Sequence, residues 1–275
     1  PFKLKQNLHR GLRDWHPEAD LMDLASSIQA VTEECLAGLW HRASKYGSRN
    51  LVYAGGVALN CAANKTLANL GLFDNIWIIP NPGDAGSSLG CIAAHEKSFI
   101  NWKSPFLGHN IKGEYPVDAI IKELKENKMV GVANGRAEFG PRALGNRSLL
   151  ADPRGEDIKD LVNSIKRRQK FRPFAPAILA EYYDEYFEGF ANEYMQFVSW
   201  AKHDYKSVTH VDGSSRVQLV YPNDDCRLRL ILEEFFSRTG VPMLLNTSLN
   251  IKGEPMVDTW EHALEFEKKY GVRVF

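Results

Sequence analysis

Apolar residues recur at steps of three or four from Leu21 onward, at Leu24, Ile28, Val31, Cys35 and Leu39. This spacing predicts an amphipathic helix with one buried stripe, which Gly47 stops. The pattern then shortens to a buried strand at Leu51-Val52-Tyr53-Ala54, a helix from about Ala58 to Leu70 ended by Gly71, and a strand at Ile76-Trp77-Ile78-Ile79, together one βαβ unit. A glycine-bearing turn follows and opens another helix that runs to about His95. Between Ser98 and Pro116 the periodicity fades and Trp102, Pro105, Gly108, Gly113 and Pro116 punctuate the chain. That predicts a linker over 101–116 between a first α/β domain at 1–100 and a second at 117–275. In the second, the pattern predicts helices near Val117 to Glu126, Glu156 to Ile165, Asp224 to Ser237 and Trp260 to Lys268. Strands are expected at Met129 to Ala133, Ala177 to Leu179, Gln196 to Trp200, Arg216 to Val220 and Met243 to Leu245.

Composition narrows the class without naming a function. The 275 residues are 44% hydrophobic and 25% charged, which suits a folded globular chain and excludes collagen, low-complexity disorder and coiled coil. Thirty-four basic residues balance thirty-four acidic ones, so no overall field draws the chain to nucleic acid or to anionic lipid, and any charge argument must be local. Four separated cysteines, Cys35, Cys61, Cys91 and Cys226, form no C-x-x-C pair and no dense disulfide framework, so the expected setting is the reducing cytoplasm. No apolar run approaches a membrane span, and neither a membrane partner nor an export signal is expected. The chain begins at Pro1 and ends in Val272-Arg273-Val274-Phe275, which reads as an interrupted strand, so a fragment of a longer protein is expected.

Four clusters could carry chemistry. Gly55-Gly56-Val57-Ala58-Leu59-Asn60 sits where a strand turns into a helix, and glycines there let N–H groups approach an anionic ligand. A tight turn without a ligand is the other reading. In Asn81-Pro82-Gly83-Asp84-Ala85-Gly86 the carboxylate of Asp84 follows a strand and could hold a cation, or could cap the helix beside it. From Arg136 to Arg172 there are ten basic residues against five acidic ones, a formal excess of five. Arg136, Arg142 and Arg147 share one glycine- and proline-rich loop there. Planar guanidinium forks suit a small polyanion, with a nucleic-acid patch or scattered surface arginines as the alternatives. The fourth cluster joins Asp212-Gly213-Ser214-Ser215-Arg216-Val217-Gln218 to Asn246-Thr247-Ser248-Leu249-Asn250, whose hydroxyl and amide groups suit phosphate, ribose or a carbamoyl amide.

Taken in order, the motifs Gly-Gly-Val-Ala-Leu-Asn, Pro-Gly-Asp-Ala-Gly, Gly-Arg-x-Glu-Phe-Gly-Pro-Arg-Ala-Leu-Gly-Asn-Arg-Ser, Phe-Arg-Pro-Phe-Ala-Pro, Asp-Gly-x-x-Arg-Val-Gln and Asn-Thr-Ser-x-Asn span nearly the whole chain. The combination resembles the NodU/CmcH family of O-carbamoyltransferases. The resemblance implies the second lobe of an actin-like ATPase (Kae1-like) domain followed by a twisted α/β domain similar to YrdC/Sua5. It implies that carbamoyl phosphate and ATP, with Mg2+, form carbamoyl-AMP, from which the carbamoyl group passes to a hydroxyl of a small-molecule acceptor.

On this resemblance Arg136, Arg142 and Arg147 bind carbamoyl phosphate or the nucleotide phosphates, and Lys170, Arg172 and Arg216 add charge. Asn246, Ser248 and Asn250 orient the adenylate, while Gly55, Gly56 and Asn60 contact nucleotide at the transfer site and Asp84 its metal. The family also implies Fe2+ held by an aspartate and a His-x-x-x-His pair. Asp84 matches the aspartate, but none of the eight histidines gives that spacing, and His9, His16, His41 and His95 offer no replacement. The expected partners are therefore the small-molecule substrates, the missing N-terminal lobe of the same protein and a second copy in a homodimer. Two other readings remain: a threonylcarbamoyl-AMP enzyme of tRNA modification, and a noncatalytic module that binds nucleotide or nucleic acid.

Overall fold

The computed structural model describes residues 18–222 and 227–275. His9, His16, Cys226 and the predicted start of a helix at Asp224 lie outside the described residues. The chain divides into two compact units, one ending at Val52 with Ala62–Trp77 added, the other comprising Tyr53–Cys61 and Ile78–Phe275.

The first unit is built on helix α1, Leu21–Ser44, which starts where the Asp20 carboxylate accepts the Met22 N–H at 2.7 Å. Strand β1, Asn50–Tyr53, pairs with β2, Asn75–Ile78, and helix α2, Cys61–Asn69, lies between them in the chain. The predicted helix from Ala58 begins as a 3-10 turn, Gly56–Leu59, before α2 starts. The predicted stripe on α1 is not its buried face. Ile28, Val31 and Leu39 are exposed and Leu36 and Trp40 are buried, because burial follows the neighbours that the small unit supplies and not periodicity alone. The Thr66 hydroxyl donates to Glu33 Oε2 at 2.8 Å and ties α2 to α1.

The second unit takes in Tyr53–Cys61 with its 3-10 turn and resumes at Ile78, continuing into a second 3-10 turn, Asp84–Gly86, and helix α3, Ser87–Glu96. Asp84 is the first residue of that turn, with Gly83 at the turn's cap position and Gly86 at that of α3, so the alternative reading of Asp84 as a helix cap does not hold. The stretch expected as a linker carries strand β3, Phe106–Ile111, which pairs antiparallel with β5, Gly135–Glu138. Its residues are mostly exposed, so it leaves no apolar alternation for the sequence to show. Helix α4, Val117–Asn127, leads to β4, Met129–Ala133. Then come β6, Arg147–Ala151, helix α5, Ile158–Lys166, and β7, Ala175–Leu179. Helix α6, Tyr183–Tyr186, precedes a small sheet of β8 (Phe187–Glu188), β9 (Ser199–Ala201) and β10 (Ser214–Ser215). Strand β11, Gln218–Val220, helix α7, Leu228–Thr239, strand β12, Met243–Ser248, and helix α8, Trp260–Tyr270, complete the unit.

The main sheet runs β11-β7-β12-β6-β4. β11 and β7 are parallel, and the other neighbours are antiparallel. Phe275 and Arg273 add hydrogen bonds to the outer side of β4, with Gly131 N–H donating to Arg273 O at 2.8 Å. Side chains alternate between two cores. Val130, Val132 and Leu150 meet Ile120, Ile121, Ile231 and Phe235 of α4 and α7. Met129, Leu149, Ala151 and Leu245 meet Ile158, Val162, Ala263 and Phe266 of α5 and α8. Helices thus cover both faces, and near-continuous apolar strands follow from that double burial.

The loop joining β5 to β6 is fastened by buried polar side chains. Glu138 Oε1 accepts three main-chain N–H groups, from Leu144 at 2.8 Å, Asn146 at 2.9 Å and Arg147 at 3.2 Å. Asn246 on β12 donates to Ala143 O at 3.2 Å and to Gln218 Oε1 at 2.7 Å, and Gln218 on β11 donates to Leu144 O at 2.9 Å. Replacing Glu138 with alanine leaves those three N–H groups without their acceptor, so Glu138→Ala is expected to destabilise the unit by about 2–4 kcal/mol. The urea midpoint measures this, and a loss below ~0.5 kcal/mol would show the loop is held by other means.

Candidate functional site

The register of the main sheet brings distant sequence segments to one edge. β6 starts at Arg147, β7 at Ala175 and β11 at Gln218, while antiparallel β12 ends there, with Ser248 opposite Ser148 and Asn246 opposite Ala175. The loops entering or leaving these ends carry Arg142, Arg168, Arg172, Arg216 and Asn250, with Lys166 at the end of α5 and Ser248 at the end of β12 beside them. Binding residues are commonly carried on loops that a rigid scaffold positions, as the sheet does here.

Four arginines form the electrostatic centre. Burial, and after it the charge of Arg216, pull the Arg142 pKa down to about 10. Burial likewise brings Arg168 to about 10, with Arg172 and Arg216 adding repulsion. Arg216 is lowered chiefly by burial, and Arg172 opposes its charge as well. His210 beside them is lowered by burial and by Arg216 and Arg172, while Asp212 acts the other way. Among the described residues no carboxylate forms an ion pair with Arg142, Arg168, Arg172 or Arg216. Arg216 Nε is buried and has no hydrogen-bond partner. Several uncompensated guanidinium groups around one place, one of them with an orphaned donor, call for an anion.

Local structure explains how the charges are held. Asn163 on α5 is buried and donates from Nδ2 to Arg172 O at 2.9 Å, while its Oδ1 accepts from Arg168 Nε at 2.8 Å. Arg168 also donates to Pro173 O at 3.0 Å and stacks over the Phe174 ring at 4.1 Å. Planar stacking and a fixed donor fork hold this guanidinium in a way that lysine could not. Arg142 donates to Leu59 O at 3.3 Å.

Lys166, which sequence reasoning passed over, is 5% exposed. Its Nζ donates to Ser248 O at 2.6 Å, Ser248 Oγ at 3.3 Å, Asn250 O at 2.9 Å and Asn250 Oδ1 at 3.1 Å. It holds two of the predicted adenylate-orienting residues in place. A signal was present: Ile158, Val162 and Lys166 follow one another at steps of four, which puts the lysine on the apolar stripe of α5. Arg168, in the same basic run, was not singled out either; its guanidinium is held by Asn163, Pro173 and Phe174.

Several predicted residues lie elsewhere. Arg147 is 0% exposed, and all its donors go to main-chain carbonyls: Asp258 at 3.2 and 2.9 Å, His109 at 2.9 Å, Asn146 at 2.8 Å, Gly135 at 3.2 Å and Asn134 at 3.4 Å. Its guanidinium is saturated, and the structure moves it from phosphate ligand to scaffold. Lys170 is exposed and pairs with Asp160 at 3.8 Å. Arg136 is exposed on β5 and lines a separate cavity of about 630 Å³ with Asn134, Asn146, Trp102 and Arg227. Asn246 is buried and anchors the loop, as described above. Gly55 and Gly56 are exposed, and the Gly55 N–H donates to Pro82 O at 2.8 Å. Asn60 is half-buried, with its N–H on Val57 O. Asp84 is exposed, and among the described residues no three His, Cys, Asp or Glu side chains gather where a metal could bind. The described residues therefore do not make the iron site that the resemblance implied.

Burial draws the Lys166 pKa down to about 7, with the charge of Arg168 contributing, against the four oxygens that favour its ammonium form. In the unfolded chain the same amine keeps a proton up to about pH 10.4. Between pH 7 and 10.4 the unfolded state binds more protons, so this lysine's penalty is complete below pH 7 and is relieved as pH rises. The stability of the unaltered chain minus that of Lys166→Met, from urea unfolding at pH 6 to 9, is expected to increase by up to about 1.4 kcal/mol per pH unit above 7. A flat difference would mean that the ammonium persists.

Comparison with known proteins gives a consistent assignment. Two family models match, the Carbamoyltransferase N-terminus over residues 3–94 and the Carbamoyltransferase C-terminus over residues 121–275. Nodulation protein NolNO of Sinorhizobium fredii is 36% identical over 273 residues, covering 86% of this chain and 40% of that protein. Nodulation protein U of Rhizobium tropici is 36% identical over 262 residues, covering 88% and 45%. The uncharacterized protein sll1178 of Synechocystis is 34% identical, covering 90% and 50%. The chain thus spans half or less of the length of these relatives. Among solved structures, full-length HypF in its phosphate- and nucleotide-bound form aligns at TM-score 0.42 and 18% identity, over 59% of this chain and 21% of that one. Among the described residues no helix is long and apolar enough to cross a membrane.

Proposed function

The chain belongs to the carbamoyltransferase family, and we propose that its arginine cluster is the place where carbamoyl phosphate and ATP are combined into carbamoyl-AMP. The observation that carries this reading is the gathering of Arg142, Arg168, Arg172 and Arg216 at one end of the sheet, with no carboxylate among the described residues paired to them. Residues 117–275 would then be the YrdC-like adenylate-forming domain and residues 1–100 part of a Kae1-like lobe, joined through 101–116. The carbamoyl group would pass from the adenylate to a hydroxyl of a small acceptor at the Kae1-like site.

The chemistry asks for this electrostatics. Water hydrolyses carbamoyl phosphate to carbamate and inorganic phosphate; a carbamate oxygen then bonds to the α-phosphorus of ATP as the bond from that phosphorus to the leaving pyrophosphate breaks. Two polyanions must therefore lie side by side while negative charge moves onto the leaving groups. Fixed guanidinium groups in a partly desolvated site stabilise that charge more than water does, because they need no reorganisation as it develops. Arg142 and Arg216 would hold the phosphates, with Arg168 and Arg172 completing the cationic wall. Ser248 and Asn250, set by Lys166, would face the adenylate with hydroxyl and amide groups. Magnesium would arrive bound to the nucleotide phosphates. Gly55, Gly56, Asn60 and Asp84 remain the residues proposed for nucleotide and metal at the transfer site.

Arg142→Ala is expected to lower carbamoyl-phosphate-dependent ATP–pyrophosphate exchange on the order of 10²-fold or more. Circular dichroism and the urea midpoint establish that the variant is folded. Unchanged exchange in a folded variant would remove Arg142 from the reaction. AMP formation that requires threonine and bicarbonate instead of carbamoyl phosphate would transfer the site to the threonylcarbamoyl chemistry.

A further inference from the structure

The cavity of about 630 Å³ that Arg136 lines belongs wholly to the second unit and takes in none of Arg142, Arg168, Arg172 and Arg216. Its wall combines two kinds of surface. Ile100, Trp102 and Leu107 are apolar, and Ile100 and Leu107 remain 42% and 44% exposed. Arg136 and Arg227 bring positive charge. Among the described residues no aspartate or glutamate lines the cavity, and neither arginine forms an ion pair.

Both guanidinium groups are placed by contacts that leave their charge unanswered. Arg136 Nη1 donates to Leu107 O and Arg227 Nη1 to Asn134 Oδ1, each at 3.4 Å, the long end of hydrogen bonding. Arg227 also stands over the Tyr115 ring at 5.6 Å, which steadies the fork without neutralising it. The floor beneath is fixed. Asn134 is buried and donates from Nδ2 to Glu114 O at 3.0 Å, which presents its Oδ1 to Arg227. Asn146 is buried and donates to Arg136 O at 2.8 Å.

We propose that this cavity binds a small organic oxyanion with a ring body, its carboxylate or phosphate on Arg136 and Arg227 and its ring against Ile100, Trp102 and Leu107. Each part of the wall asks for one part of that ligand. A bare inorganic anion would fill a fraction of a space large enough to enclose a whole small molecule, and would leave the apolar side chains wet. An uncharged ring would cover those side chains but strip water from two cations without replacing it. A planar ring suits the flat indole of Trp102, and an oxyanion suits two guanidinium forks. This site does not depend on the reading of the arginine cluster.

Calorimetry of the full chain with 2-naphthoate, 2-naphthyl phosphate and uncharged 2-naphthol in separate arms tests it. At least one anion is expected to bind with a Kd of about 1 mM or tighter, and 2-naphthol at least about tenfold more weakly. The tighter anion identifies the head group. Arg136→Gln and Arg227→Gln are each expected to weaken its binding at least about tenfold, while Arg142→Ala leaves it unchanged. Both arginines are exposed, and the urea midpoint establishes that each variant is folded. No binding of either anion, equal binding of 2-naphthol, or binding that survives both substitutions overturns the proposal. Loss of binding in Arg142→Ala, with none in the other two variants, assigns the anion to the arginine cluster and overturns it as well.

Discussion

Four guanidinium groups at one edge of a sheet repel one another, and the rest of the second unit is arranged to withstand that repulsion. Two unit charges about 4 Å apart interact by roughly 4 kcal/mol at the effective dielectric near a protein surface. Left to themselves, long arginine side chains would swing apart into water. Here Arg168 is clamped by Asn163 and Phe174, Arg216 is half-buried with its Nε shut off from solvent, and Arg142 is tethered to Leu59. The depressed affinity of these groups for their own protons is the residue of strain that an arriving anion relieves. Binding energy and preorganisation come from the same source: charges are held where they are least comfortable until their counter-charge appears.

That holding depends on a second set of polar groups lying underneath. Glu138 collects three loop N–H groups, Gln218 and Asn246 fix the carbonyls of Leu144 and Ala143, and Arg147 gathers carbonyls from residues 109, 134, 135, 146 and 258. Each is buried, and such a network contributes only when nearly complete. Strands β3, β5, β6, β11 and β12 and three loops meet in it. A loop with this many anchors behaves as an extension of the sheet, so the position of Arg142 is set with the precision of a strand residue.

How much of this could be read in the chain depended on the kind of residue. Strands β4, β7, β11 and β12 of the main sheet were plain, because double burial writes them as short apolar runs such as Met129 to Ala133, whereas β6, Arg147–Ala151, was missed because it opens on arginine and serine straight out of the basic loop. Strand β3 was hidden because its exposed residues carry no alternation. Arg142, Arg172 and Arg216 stood out beside glycines and prolines, and the structure brings them together. Arg147 looked the same in sequence, since nothing local tells whether a guanidinium faces a ligand or carbonyls from residues 38 and 111 positions away. Lys166 and Lys170 were exchanged for a similar reason: both lie in a basic run, and only the period of α5 separates the buried amine from the exposed one. The predicted stripe of α1 failed for the converse reason, since periodicity names a face but cannot supply the partner that buries it.

One close approach bears on how such a chain can change. Gly140 sits at φ 146°, and a Cβ there would come within 2.6 Å of the Pro80 carbonyl oxygen. No L side chain accepts that backbone readily, and the carbonyl it would strike belongs to the turn that carries Asp84. The loop bearing Arg142 and the turn after β2 are thus pressed together through main-chain atoms, some sixty residues apart in the chain. Neither can be lengthened, shortened or reshaped without the other giving way, so homologous chains should inherit these two stretches as a matched pair, and grafting either one alone into a foreign scaffold should carry half of an interlocking joint.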